Sequence, residues 1–230
     1  MRARDIMTVS VRTVGPKTSA ADVAKLLVEH RISAAPVVGD NGRLVGIVSE
    51  GDLIRRAEIG TQRRRSWWLE LLTDPDQLAV EYVKSRGVKA EEIMTRDVVT
   101  VKEDTSVADV AHLLESRRIK RVPVVRRGKL VGIVSRSNIL QALVAHGGPK
   151  AGRGAVKDQT LRDELLQKIK SEPWSGGAIF NVVVTKGVAH LTGLVRSEQE
   201  KQAMLVAAET VKGIKEVKEN LSIARWSNAV

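Results

Sequence analysis

Two hydroxyl–acceptor pairs recur at the same spacing in this chain, Ser49 with Asp52 and Ser135 with Asn138. Each follows an apolar run, Leu44–Val48 or Leu130–Val134, that reads as a buried strand, and each leads into a helical pattern. A strand that opens onto a helix start leaves backbone N–H groups without intrahelical partners, and a nearby hydroxyl and carboxylate add an acceptor-rich pair. Such a corner suits a ribose diol beside a phosphate. Catalytic chemistry finds little support. Glu50-Gly51-Asp52 supplies two carboxylates, but no second group is placed for proton transfer. His30, His112, His146 and His190 have no partner at ligand spacing, and cysteine is absent, so neither a metal site nor a disulfide is expected. No P-loop, dinucleotide fingerprint or nucleophile elbow occurs. The chain reads as a non-enzyme.

The elements that position these corners are duplicated. Ile6-Met7-Thr8 matches Ile93-Met94-Thr95, and Thr13-Val14 matches Thr100-Val101. Thr18-Ser19 with Asp22 matches Thr105-Ser106 with Asp109, and Pro36-Val37-Val38 matches Pro123-Val124-Val125. The first copy carries one extra residue at its hairpin, after which the strands and corners realign. So many aligned identities mark a tandem duplication. In each copy a Ser with an acid three residues later starts a helix, and Val23, Leu26 and Leu27, like Val110, Leu113 and Leu114, form its apolar face. A strand follows at Ala35–Val38 or Val122–Val125. Asn41-Gly42 signals a tight hairpin in the first copy, and Arg126-Arg127-Gly128 turns the second. The unit is strand–helix–strand–strand–helix. One such unit is too small to bury both sheet faces, so two are expected to pack together.

This order of motifs, seen twice over roughly Met1 to Ala145, resembles a tandem pair of CBS domains, the module that senses adenine nucleotides. The DIMT and EIMT openings, the Pro-Val-Val strands and the GIVSEGD and GIVSRSN corners carry the likeness. The resemblance implies an α/β (α+β) fold of two βαββα repeats packed as a pseudo-two-fold pair that forms a homodimer. It also implies an adenine nucleotide (AMP, ADP or ATP) as regulatory ligand between the repeats, with no catalytic cofactor. In this sequence Asp52 would accept from both ribose hydroxyls, and Ser49 would donate to ribose or phosphate. Thr13, Ser33, Ala35 and Val48 would frame the adenine. In the second copy Ser135 and Asn138 take the corner, flanked by Thr100, Lys120 and Val122, while Arg136 and the neighbouring cations would neutralise phosphates. Asn138 stands where the acid is expected and forgoes its charge-assisted bonds. Two unequal sites follow, the Asp52 site being the tighter.

Between the copies, 58–91 reads as a helical insert. Trp67, Trp68, Leu71 and Leu72 there are expected to cover an apolar face or a dimer seam rather than touch a membrane. Residues 146–157, rich in Gly, read as a flexible linker. Beyond it, Thr160 with Asp163 reads as the cap of a helix bearing Leu161, Leu165 and Ile169. Two strands flank Lys186-Gly187, a helix starts at Ser197 and ends at Gly213, and Val217–Ile223 forms a last strand. The segment 158–225 resembles a BON domain through Thr185-Lys186-Gly187-Val188, Leu191-Thr192-Gly193-Leu194 and Val211-Lys212-Gly213-Ile214. That resemblance implies contact with phospholipid surfaces or other proteins. The alternative to a sensor is thus an interaction protein or phospholipid-surface protein whose nucleotide pocket has degenerated. The repeats themselves are bounded at 1–57 and 92–145.

The net charge of +11 over 230 residues raises nucleic acid as a partner. Aromatic content of 3% argues against a base-stacking platform, and no nucleic-acid reading motif is present. The N-terminus lacks the apolar core of a signal peptide, so the expected address is the cytoplasm.

Overall fold

The computed structural model describes residues 1–54, 82–83, 85–146 and 155–224. Most of the helical insert, with Trp67 and Trp68, lies outside these residues, as does the linker segment 147–154. The chain divides into two compact units, one of Met1–Val11, Thr100–Arg126 and Val131–Val230, the other of Arg12–Val99 and Arg127–Leu130. The division crosses the sequence repeat. Each copy gives its opening segment to the unit built on the other copy.

In the unit of the first repeat, α2 (Ala20–Glu29) begins where Ser19 Oγ accepts from the Asp22 N–H at 3.0 Å. Capping by a hydroxyl satisfies an otherwise orphaned helix donor. The hairpin β1 (Ala34–Val38) and β2 (Leu44–Ser49) is antiparallel, and α3 (Glu50–Ile54) follows at once. The strand expected before α2 is reduced to a single parallel bridge of Val14 to Val37. The Asn41-Gly42 turn is wider than the sequence suggests. Residues 39–43 form the loop, closed by Gly39 N–H to the Arg43 carbonyl at 3.0 Å. The short α4 (Ala90–Ile93) then delivers Ala90, Ile93 and Met94 to the core of Val23, Leu27, Val37 and Val48.

The other unit repeats this plan with α1 (Ala3–Ile6), α5 (Val107–Ser116), the strands β3 (Arg121–Arg126) and β4 (Lys129–Ser135), and α6 (Arg136–His146). Here Arg127 and Gly128 both have positive φ, +53° and +80°. That is the geometry of a two-residue type I′ turn. The second copy thus turns within Arg126-Arg127-Gly128 as expected, and only the first turn departs from expectation.

The exchanged segments explain the DIMT and EIMT motifs. The acid, Asp5 or Glu92, accepts from the backbone N–H of Arg2 (2.7 Å) or Lys89 (3.0 Å) at the head of its short helix. The Ile is buried in the core. The Met lies over a strand glycine. A Cβ on Gly132 would sit 2.9 Å from Met7 Cγ, and one on Gly46 would sit 2.8 Å from Met94 Cγ. The Thr pairs with the strand residue that follows this glycine: Thr8 with Ile133 (2.9 and 3.0 Å), Thr95 with Ile47 (2.9 and 3.0 Å). The GIVS motif of one copy and the IMT motif preceding the other copy are thus two halves of one contact.

The C-terminal domain comprises α7 (Ala155–Ser171), a 3-10 turn at Pro173–Gly177, the hairpin β5 (Ile179–Thr185) and β6 (Val188–Val195), α8 (Glu198–Glu209) and β7 (Glu216–Ile223). Helix α7 starts five residues before Thr160, which is therefore an interior residue and not its cap. Helix α8 is capped by Ser197 as expected (Glu200 N–H to Ser197 Oγ, 3.1 Å), but it closes at Thr210, before Gly213. The sheet order is β5-β6-β7, antiparallel then parallel. Lys186 and Gly187 make a type I′ turn at φ +54° and +78°. Both oxygens of Asp158 pin it, accepting from the two turn N–H groups at 2.7 and 2.9 Å. Phe180, Val182 and Val184 of β5 face the core of Leu165, Ile169, Leu191 and Met204.

The opposite face of β5 is buried too, with Asn181, Val183 and Thr185 all enclosed. It packs against α6 and α1 of the second-repeat unit. Asn181 Nδ2 donates to Gln141 Oε1 at 3.2 Å, and Val9 packs on the domain core. The C-terminal domain is docked on the second repeat, a feature that the Gly-rich linker did not announce.

Candidate ligand-binding corners

At the first corner, β2 ends at Ser49 and α3 starts at Glu50. Asp52 turns back on the strand end, and its Oδ2 accepts from the Ser49 N–H at 2.9 Å and the Ser49 hydroxyl at 2.7 Å. The Glu50 N–H donates to the Ser33 carbonyl at 3.0 Å, so Ser33 is tied to the same turn. Ser33, Ser49 and Asp52 are half-buried and adjacent. Ala35 and Val48 are cross-strand partners with no exposed surface; they support the corner from beneath. Thr13 is exposed, and the parallel bridge of Val14 to Val37 sets it alongside β1.

The second corner has the same backbone. Asn138 Oδ1 accepts from the Ser135 N–H and the Ser135 hydroxyl, both at 2.7 Å. The Arg136 N–H donates to the Lys120 carbonyl at 3.2 Å, the counterpart of the Glu50–Ser33 bond. Val122 is fully buried, and Thr100, Lys120 and Arg136 are exposed. One contact distinguishes this corner. Asn138 Nδ2 donates to Thr8 Oγ1 at 3.2 Å, and Asn138 is only 4% exposed. A carboxylate has no hydrogen to donate there. The amide that forgoes a charge-assisted acceptor thereby gains a tie to the exchanged segment.

Each set of expected site residues is therefore gathered within its own unit: Thr13, Ser33, Ala35, Val48, Ser49 and Asp52 in one, Thr100, Lys120, Val122, Ser135, Arg136 and Asn138 in the other. The sequence reading missed Thr8. Its recurrence as Thr95 was visible, but its contact with a residue 130 positions away was not. Among the described residues no group of three His, Asp or Glu side chains could hold a metal ion. No helix among them is long and apolar enough to cross a membrane.

Comparison with known proteins agrees with the architecture. The family model described as CBS domain matches residues 3–58 and 90–145, and that described as BON domain matches 157–225. The chain is 34% identical over 141 residues to the CBS domain-containing protein CBSX2, chloroplastic, of Arabidopsis thaliana, the match covering 58% of each chain. It is 32% identical over 155 residues to an uncharacterized protein of Methanocaldococcus jannaschii, covering 63% of this chain and 92% of that one. The chain thus spans little more than half the length of the plant relative. Among solved structures, CBSX2 in complex with AMP superposes with a TM-score of 0.55 at 33% identity, covering 62% of this chain and 96% of that one.

Proposed function

This chain belongs to the CBS-domain family, with two CBS repeats followed by a BON domain, and from that premise we propose that it is a regulatory protein that binds an adenine nucleotide and passes its state on through the BON domain. The observation that carries the reading is the Ser49–Asp52 corner, where a half-exposed carboxylate stands beside a hydroxyl at a strand end. The likeness to CBSX2, solved with AMP, supports it. Asp52 accepts from the ribose hydroxyls, and Ser49 donates to ribose or phosphate. Ser33 and Thr13 flank the base, with Ala35 and Val48 behind them. At the second corner Ser135, Thr100 and Val122 take the matching places, while Lys120 and Arg136 face the phosphates; Asn138 makes this the weaker site. The ligand is regulatory and no catalytic step is assigned.

A homodimer fits the surface of α6. Leu140, Leu143 and Val144 are 61%, 63% and 77% exposed there, an arrangement that a second copy would cover.

The test is a thermal-shift and calorimetry series with AMP, ADP, ATP and guanine nucleotides. A ligand at a hundredfold over its Kd stabilises by about 2.7 kcal/mol, and each kcal/mol moves the midpoint by roughly 2–4 °C at this size. A selective rise, lost in Asp52→Asn, is expected. Silence with every nucleotide would favour the second reading, a phospholipid-surface or interaction protein with a degenerate pocket. The observation on that side is the burial of Asn138 against Thr8.

A further inference from the structure

Met7 and Thr8 are neighbours in the chain that are gripped from opposite sides. Thr8 is paired to Ile133 through its N–H and carbonyl, and its hydroxyl accepts from Asn138 Nδ2 at 3.2 Å. The Met7 carbonyl accepts from Arg162 Nη2 at 2.8 Å, while Arg162 Nε donates to the Val182 carbonyl of β5 at 2.7 Å. Arg162 thus binds the backbone of the BON sheet and the backbone of the exchanged segment together.

Its setting is costly. The side chain is 3% exposed, and its nearest carboxylate, Asp163, is 3.8 Å away and largely in solvent. Burial pulls its pKa down to about 10, against the opposing pull of Asp163 and Asp5, so it remains a cation at neutral pH. An apolar side chain of similar volume would fill the space without that desolvation penalty. What the guanidinium adds is direction: two donors held in a rigid plane, one for each partner.

We propose that Asn138, Thr8, Met7 and Arg162 form a relay that makes the docking of the BON domain depend on the state of the second corner. A ligand hydroxyl that donates to Asn138 Oδ1 competes with Ser135 for that oxygen, turns the amide and releases Thr8. The freed segment then withdraws the Met7 carbonyl from Arg162, and β5 loosens on α6. The relay supplies two arrangements, docked and released, that a ligand can bias by binding them unequally. Its use by a nucleotide rests on the function proposed above; the mechanical coupling does not.

Hydrogen exchange on the full chain separates the two. Thr8→Val keeps the shape and removes the acceptor, and should raise exchange about tenfold in 179–185, the scale of one lost hydrogen bond. Arg162→Met should raise exchange in 1–11 and 133–138. Effects confined to the substituted side in these variants would overturn the relay. If Arg162→Met fails to fold, Thr8→Val decides alone. With AMP at concentrations that calorimetry shows to saturate, the wild-type chain should show raised exchange at 179–185, and Thr8→Val should show no further rise. Binding heat without that change would overturn the relay as a signal path. Absence of binding heat would remove the nucleotide reading, with the variant arm still deciding the coupling.

Discussion

The two corners share a backbone and differ in where their hydrogen bonds go. Asp52 accepts from the strand end through one oxygen and remains half-exposed. Asn138 accepts from the same two groups of its own strand end, yet it also donates to Thr8 and is almost wholly buried. The acid-to-amide difference thus leaves Asp52 half-exposed at its strand end and ties Asn138 to the exchanged segment.

The comparison breaks most sharply under alanine. Asn138→Ala leaves the Ser135 N–H without its acceptor inside the protein, and should cost about 1–3 kcal/mol of stability in urea denaturation. Asp52→Ala removes a half-exposed cap and should cost about 1 kcal/mol. For nucleotide affinity the order should invert. Asp52→Ala is expected to weaken AMP binding by at least roughly tenfold, since hydrogen bonds to a charged acceptor contribute about 1.5–3 kcal/mol each. Equal stability losses would show that the burial of Asn138 carries no structural weight.

A smaller effect tests whether the two copies are equivalent away from the corners. Gly46→Ala and Gly132→Ala each drive a Cβ into the methionine of an exchanged segment, with the Thr95 or Thr8 carbonyl 3.1 Å away on the other side. Overpacking of this kind costs about 1–3 kcal/mol. The two losses should agree closely. Replacing the clashing methionine, as Met7→Ala in Gly132→Ala, should recover part of the loss, whereas Met94→Ala should not. Recovery by the wrong methionine would contradict the exchange of segments.

The sequence carried the repeat, the helix caps at Ser19, Ser106 and Ser197, the hairpin strands and the corner residues, because each rests on local periodicity or on a side chain reaching three residues along its own chain. What it did not carry is nonlocal. The exchange of Met1–Val11 and the residues around Met94 between the copies leaves no local trace, since either pairing buries the same apolar residues. The first turn was misjudged for a related reason: Asn41-Gly42 favours a two-residue hairpin, but the extra residue in the first copy widens the loop. Arg162 is the clearest case. Within a run of Leu, Asp and Glu on α7 nothing local marks it for burial, and it is the docking of β5 on the second repeat that encloses it.

The smallest effect concerns a position where the copies diverge in charge. His30 closes α2, and Arg117 closes its counterpart α5. Burial holds His30 below its ordinary pKa, the Arg12 guanidinium adds to the depression, and Glu29 opposes it. As pH falls through about 6.5, the unfolded chain therefore takes up a proton before the folded one does. Stability from this group is full above that value and declines between it and the lower folded pKa, below which both states are protonated and the dependence ends. Arg117 puts no imidazole at the matching position. Hydrogen exchange in 23–38 should therefore quicken modestly between pH 6.5 and 5 after correction for intrinsic rates. In His30→Gln that change should vanish; a slope that survives the substitution would assign the titration to another group.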